Sequence, residues 1–189
     1  MSKAKSAKAK GKQAKAKQAK GKKGKGKKAK SKQAKAKKAK VTRAAPQAVT
    51  PYLAIRDAAS AIEFYRKAFD AMEMMRLAEP TGRIGHAEIE IGGARIMIAD
   101  EHPEMDVRGP EAFGGSPVSI HLYLADVDAV FARAVTAGAK PVRPPADQFY
   151  GDRAATLIDP FGHRWYLATR KEDVSTEEMQ KRYAKMMKP

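Results

Sequence analysis

The stretch YLAIRDAASAIEFYRKAF, residues 52–69, decides the architecture. Apolar residues alternate from Val49 to Ile55, the period of a strand with one buried face. Asp57 then stands where a helix N-cap belongs. Beyond it Ala61, Ile62, Tyr65, Ala68 and Phe69 recur at helical spacing, so a strand leads into a helix that packs on it.

Working outward, strand-like stretches follow at 72–78, 84–91 and 94–99, with Pro80–Thr81–Gly82 and Gly92–Gly93 supplying the turns. The order is βαβββ. The same order returns further on. Residues 118–125 alternate, Asp126 or Asp128 caps, and 128–137 is an Ala/Val/Phe helix ending at Gly138. Strands then fit 140–143, 152–158 and 163–169, with Asp159–Pro160–Phe161–Gly162 turning the last pair. Laying Asp57 on Asp126 aligns the halves at an offset of 69 residues. A repeated unit of this kind predicts an α+β fold: paired βαβββ modules forming a cupped mixed sheet, packed with pseudo-twofold symmetry around a shared cleft. A last amphipathic helix is predicted over 176–187, with Ser175 and Glu178 in capping-box spacing.

Upstream the chain changes character. Nineteen of the first forty residues are lysine, with no acid, aromatic residue or proline among them. The whole chain carries 38 basic and 21 acidic residues, so from Val41 onward 19 basic face 21 acidic, and the +17 net charge resolves into +19 on the tail and −2 on the body. KQAKAKQAK (12–20) recurs as KQAKAKKAK (32–40), a local duplication. Such a segment has nothing to bury and is expected to be disordered when free. Three parts are therefore expected: a Lys/Ala-rich tail over 1–46, a folded domain over 47–172, and a C-terminal helical segment over 173–189.

A dense array of point charges binds polyanions by releasing condensed counterions, and non-specific nucleic acid is the expected partner of residues 1–40. Lysine has no base-reading fork and the tail has no ring to stack on a base, so sequence-specific readout is not expected. In composition the tail resembles the lysine/alanine-rich tails of linker-histone-like bacterial proteins. Anionic lipid, polyphosphate and plain solubilisation are the alternatives. No apolar run follows the charges as in a secretory signal, and no stretch has the length of a membrane span. With no cysteine there is no thiol chemistry. A cytoplasmic location is expected, with nucleoid association as the alternative.

Together with HAEIEIGGARIMIAD (86–100), LADVDAVFARAVTAGA (124–139), DQFYGDR (147–153) and DPFGHRW (159–165), the opening stretch resembles the vicinal oxygen chelate superfamily. That group includes glyoxalase I, bleomycin-resistance proteins and extradiol dioxygenases, and the similarity is greatest to its PhnB-like branch. The resemblance covers about residues 48–169 and implies a cupped sheet that often holds a divalent metal through four strands. Carried over by motif, the four ligand positions fall on Thr50, Met97, Ser119 and Tyr166. None is a good ligand for a divalent metal, which argues against glyoxalase-type metal chemistry at those positions.

Strand alternation offers other groups. If Leu53 and Ile55 pack under the helix, Thr50, Tyr52 and Ala54 face the cleft. By the same parity His86, Glu88 and Glu90 oppose Ile89 and Ile91, and Ser119, His121 and Tyr123 oppose Ile120 and Leu122. Arg164, Tyr166 and Ala168 oppose Trp165 and Leu167. The candidate ligand cleft is thus Tyr52, His86, Glu88, Met97, Ser119, His121, Tyr123, Tyr150, Arg153 and Tyr166, with no catalytic residue assigned. Arg153 either holds an anionic group or pairs with Asp152 or Asp159. His86, Glu88 and His121 form the one candidate set for a divalent metal, the only cofactor considered.

His163 is expected to make a structural hydrogen bond, and His102 to be exposed on a loop. Residues 101–116 either cover the cleft as a lid or simply link the halves. Met72, Met74, Met75, Met186 and Met187 serve core packing or a dimer seam. The leading functional expectation is a dimeric small-molecule-binding protein, with or without catalysis, tethered to nucleic acid. The alternatives are a DNA-associated sequestration protein that does no chemistry, and a metal-dependent lyase or oxygenase using His86, Glu88 and His121.

Overall fold

A computed structural model describes residues 47–188, so the expectations for residues 1–46 lie outside the described residues. The elements are β1 (Tyr52–Ile55), α1 (Ala58–Phe69), β2 (Met72–Ala78), β3 (Ile84–Ile91) and β4 (Ala94–Asp100), then β5 (Ser119–Tyr123), α2 (Val127–Thr136), β6 (Lys140–Asp147), β7 (Asp152–Ile158), β8 (Arg164–Arg170) and α3 (Thr176–Met186). Two single-turn 3₁₀ helices, Pro103–Met105 and Pro110–Phe113, lie in the connection between the halves. Each half is a four-stranded mixed sheet, in the orders β1-β4-β3-β2 and β5-β8-β7-β6.

The internal repeat extends to single hydrogen bonds. Tyr52 pairs with Met97 across β1–β4, and His121 with Tyr166 across β5–β8, both at the offset of 69. Asp57 accepts from Ser60 N and Asp126 from Ala129 N, each at 3.0 Å, satisfying one orphan donor of each first turn. The first N–H of each helix, on Ala58 and Val127, is received by Asp100 Oδ1 at 2.9 Å and by Thr169 Oγ1 at 2.8 Å. The offset slips to 68 on β7, where Thr156 rather than Leu157 pairs with Tyr166 as Glu88 pairs with Met97. The cause is the hairpin: Pro160–Phe161–Gly162 turns the second module where Gly92–Gly93 suffice in the first.

One core joins both modules through their helix sides. Tyr65 and Phe69 of α1 pack on Trp165 of β8, with ring centroids 5.4 and 4.7 Å apart. Arg133 of α2 donates to the Ala68 carbonyl and to Asp70 at the C-terminal end of α1, where free carbonyls favour a cation. Asp159, 3% exposed, accepts four hydrogen bonds: from Tyr65 Oη, Trp165 Nε1, Phe161 N and His163 N. Burial and that carboxylate push the Tyr65 phenol well above its usual range. No strand of one sheet pairs with a strand of the other among the described residues, and the faces opposite the helices stay outside the common core. The large apolar residues of both modules sit on the helix sides, and those surfaces meet in the common core.

Three details add to the sequence expectation. β6 runs on to Asp147 through Pro144 and Pro145, which is tolerated because β6 is an edge strand with two register irregularities. Met72, Met74, Met186 and Met187 are exposed, which excludes core packing in this chain and leaves the dimer seam of the two expected roles. The last helix buries no residue. Arg182 holds it through Glu172 and the Phe149 carbonyl and also pairs with Glu178 within the helix, and Gly151 (φ 96°) lets the segment pass where a Cβ would lie 2.4 Å from the Glu172 carbonyl oxygen.

His163 makes the structural bond expected of it, from Nε2 to the Ala54 carbonyl at 3.3 Å, and so ties the second module to β1. Burial holds this imidazole below its ordinary value of 6.5, against an opposing pull from Asp159. The unfolded chain therefore takes up a proton that the folded chain resists, so the contribution of this group is full above pH 6.5 and declines as pH falls toward the lowered folded value. Replacing it by glutamine is expected to flatten that part of the stability profile. Urea midpoints of both proteins at about pH 7.5 and about pH 5 test this, and an equal decline in the two would refute it.

Candidate functional site

On the first sheet Ile89, Ile96 and Ile98 take the helix side, so the pleat turns His86, Glu88, Glu90, Arg95 and Met97 to the other face. Tyr52 of β1 joins them beside Met97, 57% exposed. Its hydroxyl shares a hydrogen bond with His86 Nδ1 at 3.2 Å, the rings edge-on with centroids 5.6 Å apart. His86 Nε2 lies 3.7 Å from Glu88 Oε1, and Glu88, only 2% exposed, pairs with Arg95 Nη1 at 2.8 Å. A carboxylate buried so deeply requires such a partner.

The connection between the modules folds back over this face as a strap. His102 and Val107 exchange backbone hydrogen bonds at 2.8 and 3.0 Å around the first 3₁₀ turn, and Glu101 accepts from Gly109 N at 2.6 Å. Arg83 donates to the Glu101 carbonyl, and Arg56 pairs with Glu111. Between strap and sheet lies a cavity of about 350 Å³, lined by Tyr52, Ala54, Glu79, Gly85, Ala99, His102, Met105 and Val107. Its apolar walls and few polar groups are those of an ordinary small-molecule site. A roomier depression of about 510 Å³ lies on the outer side of α1, beside Glu63, Lys67 and Arg76, and none of the candidate cleft residues lines it.

The second sheet presents a ring-bearing face. His121 of β5 lies with its ring centroid 4.7 Å from Tyr123 and 6.3 Å from Tyr166, nearly parallel to the latter. Tyr123, 55% exposed, donates to Asp152 Oδ2 at 3.1 Å and lies under the Arg170 guanidinium, 5.5 Å away. Tyr150 leans on Phe149, and burial first, then Asp152, Tyr123 and Tyr166, pushes its phenol up. Ser119 pairs with Arg164 at the end of β5.

The structure thus brings Tyr52, His86, Glu88 and Met97 together on one sheet face, and Ser119, His121, Tyr123 and Tyr166 on another, with Tyr150 nearby. Arg153 belongs to neither. It lies on the helix side of β7, bonded through Nε and Nη2 to Asp128 of α2 at 2.7 and 2.8 Å and through Nη1 to Asp147 at 3.1 Å, in place of the expected Asp152 or Asp159. The parity that buries Leu157 already put it there. His102 is the second correction. It is 7% exposed, because its bridge to Val107 turns the ring under the strap. Of the cavity residues only Tyr52 and Ala54 were expected on the cleft face; Glu79, Gly85, Ala99, His102, Met105 and Val107 were not. A polar loop carrying Met105 and Val107 was the available sign of a packed segment.

The four metal positions implied by the resemblance carry a threonine, a thioether, a serine and a phenol, and these do not fit a divalent ion. His121 is not brought to His86 and Glu88: the pair is on β3 and His121 on β5, in different sheets. Among the described residues no group of three or more His, Cys, Asp or Glu is placed to hold a metal.

The fold is a paired βαβββ unit with an apolar cavity on one sheet face. Residues 44–167 match the sequence profile of the Glyoxalase/Bleomycin resistance protein/Dioxygenase superfamily, and the chain belongs to it. An uncharacterised protein of Mycobacterium tuberculosis is 46% identical over 136 residues, covering 70% of this chain and 80% of its own. TioX from Micromonospora sp. ML1 superposes with a TM-score of 0.53 at 26% identity, over 65% of this chain and 97% of TioX. The PhnB protein from Bacillus cereus, at 20% identity and a TM-score of 0.52 over 65% of this chain and 99% of its own, shares the fold. No helix among the described residues is long and apolar enough to cross a membrane.

Proposed function

We propose that this protein binds a small molecule on the open face of its first module and that its lysine-rich tail holds it to nucleic acid. One observation carries the first part: the cavity of about 350 Å³ between strap and sheet, apolar on its walls, with the Tyr52 hydroxyl and the His102 ring at its edge. The neighbouring polar groups are engaged with one another, Tyr52 with His86 and Glu88 with Arg95, which favours holding a ligand over transforming it. His121, Tyr123, Tyr150 and Tyr166 form the corresponding face of the second module. A homodimer in which a second copy covers these open faces accounts for the exposed Met72, Met74 and Leu77 on edge strand β2. The tail reading rests on charge density alone, nineteen lysines in forty residues.

A thermal-shift screen of small molecules tests the cavity. A ligand at 100 times its Kd adds about 2.7 kcal/mol, roughly 5–10 °C for a domain of this size. Gly85→Leu is expected to fill the cavity and abolish that shift. Its backbone is outside the left-handed region and a Cβ there meets Glu79 and Leu77 at 3.6 Å or more, so the fold should survive. A ligand shift undiminished in the variant would place binding elsewhere.

A further inference from the structure

We infer that the second module carries a separate site, anchored on Arg164, for an oxyanion (a carboxylate or a phosphate) borne on an apolar body. Every arginine among the described residues pairs with a carboxylate except Arg143 and Arg164. Neither of those two side chains meets an acid or a hydrogen-bond acceptor among the described residues. Both belong to the open face of the second sheet. Leu157 and Trp165 are buried in the core, so Thr156, Ile158, Arg164 and Tyr166 take the opposite side of their strands. Two rows cross that face in register, Ser119–Arg164–Ile158–Lys140 and His121–Tyr166–Thr156–Arg143. They hold a lysine and two arginines and no acid. The charge of Arg143 reaches the Tyr150 phenol, which places it on the same side. Asp152, the acid further along this face, is occupied by the Tyr123 hydroxyl and the Arg170 guanidinium.

A cavity of about 480 Å³ opens beside Arg164, between Phe113–Pro117 at the end of the strap and Ile158 and Gly162 of the β7–β8 hairpin. No acid lines it, and it shares no residue with the cavity of the first module. Phe113, 68% exposed, and the half-buried Ile158 offer apolar surface to the body of a ligand. The guanidinium is half-buried and presents a planar fork, which takes a carboxylate or a phosphate through two parallel N–H donors. Ser119, its register partner on β5, has a hydroxyl that bonds to nothing else among the described residues and is free to donate as well. The first sheet is arranged differently: there Glu88 takes up Arg95 and Tyr52 takes up His86.

The test is a matched series on the full-length chain: phenylacetate, phenyl phosphate, 2-phenylethanol and inorganic phosphate, followed by the methyl NMR signal of Ile158. That signal separates binding at Arg164 from attraction of anions to the tail, and the Ala99 and Val107 methyls report the first-module cavity. At least one of the two aromatic anions is expected to move the Ile158 methyl saturably and to bind at least about tenfold more tightly than the alcohol and than inorganic phosphate. The tighter of the two names the oxyanion. Arg164→Gln should reduce it to the level of the alcohol. This side chain has no protein partner to lose, so the fold should survive, and unchanged methyl signals of Leu157 and Leu167 in the core would show it. Alcohol binding equal to that of both anions, or anions unaffected by Arg164→Gln, overturns the role of the guanidinium. Inorganic phosphate as tight as phenyl phosphate overturns the apolar half of the site. Anions that move Ala99 and Val107 but not Ile158 overturn the site altogether and place their binding in the first module.

Discussion

Raising sodium chloride from about 50 to about 200 mM is expected to lower the affinity of the full-length chain for duplex DNA by roughly 10³–10⁵, the loss that accompanies six to ten phosphate contacts. Nineteen tail lysines are available, so the slope of log K against log salt can reach but not exceed about −17. The folded part carries a formal −2, so a chain cut to residues 41–189 should show almost no retention at either salt concentration. The dependence should be indifferent to DNA sequence, because lysine presents charge without a bidentate fork. Filter retention of the two chains across a salt series decides the matter. Equal retention would remove nucleic acid from the account.

The second large effect concerns Asp159. Replacement by alanine is expected to cost about 4 kcal/mol or more, a large share of the 5–15 kcal/mol that holds a domain of this size together. The mechanism is specific. Four donors lose their acceptor, and Trp165 Nε1 and the two backbone N–H groups have no way to turn round and accept instead. Asparagine should cost roughly half as much. Its oxygen can keep the two backbone donors, and the Tyr65 hydroxyl can rotate to accept from the new amide, leaving Trp165 as the one orphan. Tyr65 lies in the first module and Trp165 in the second, so the loss also loosens the joint between them. Urea unfolding followed by Trp165 emission measures both variants. A change in midpoint worth less than about 1 kcal/mol for the alanine variant would show that water or a neighbour replaces the carboxylate.

Much of this architecture is legible in the residues. Strand parity reads true wherever large aliphatic side chains mark the buried face. Ile89 and Ile91 against Glu88 and Glu90, and Trp165 and Leu167 against Tyr166, leave no choice of orientation. The helix starts at Asp57, Asp126 and Ser175 are equally readable, because a cap is satisfied within three residues of chain. Superfamily membership was legible for the same reason, through short motifs at turns and caps.

The contacts of the site were not. Arg153 had two carboxylates close by in sequence, and it took Asp128, 25 residues away, because the pleat turned it toward α2. His102 sits among acids in a loop with every local sign of exposure, and a six-residue turn buried it.

The sequence by itself determined the two modules, their elements, the caps and the concentration of positive charge in the first forty residues. These depend on periodicity, local hydrogen bonding and composition, all of which act within a few residues. Only the tertiary structure decided that the modules join through their helix sides around Asp159, that His86 and His121 stand on different sheets, and that the strap carries His102 to Glu79. Those outcomes depend on which distant surfaces exclude water together and on how far a chain reaches around a turn, and residue order does not carry that information locally.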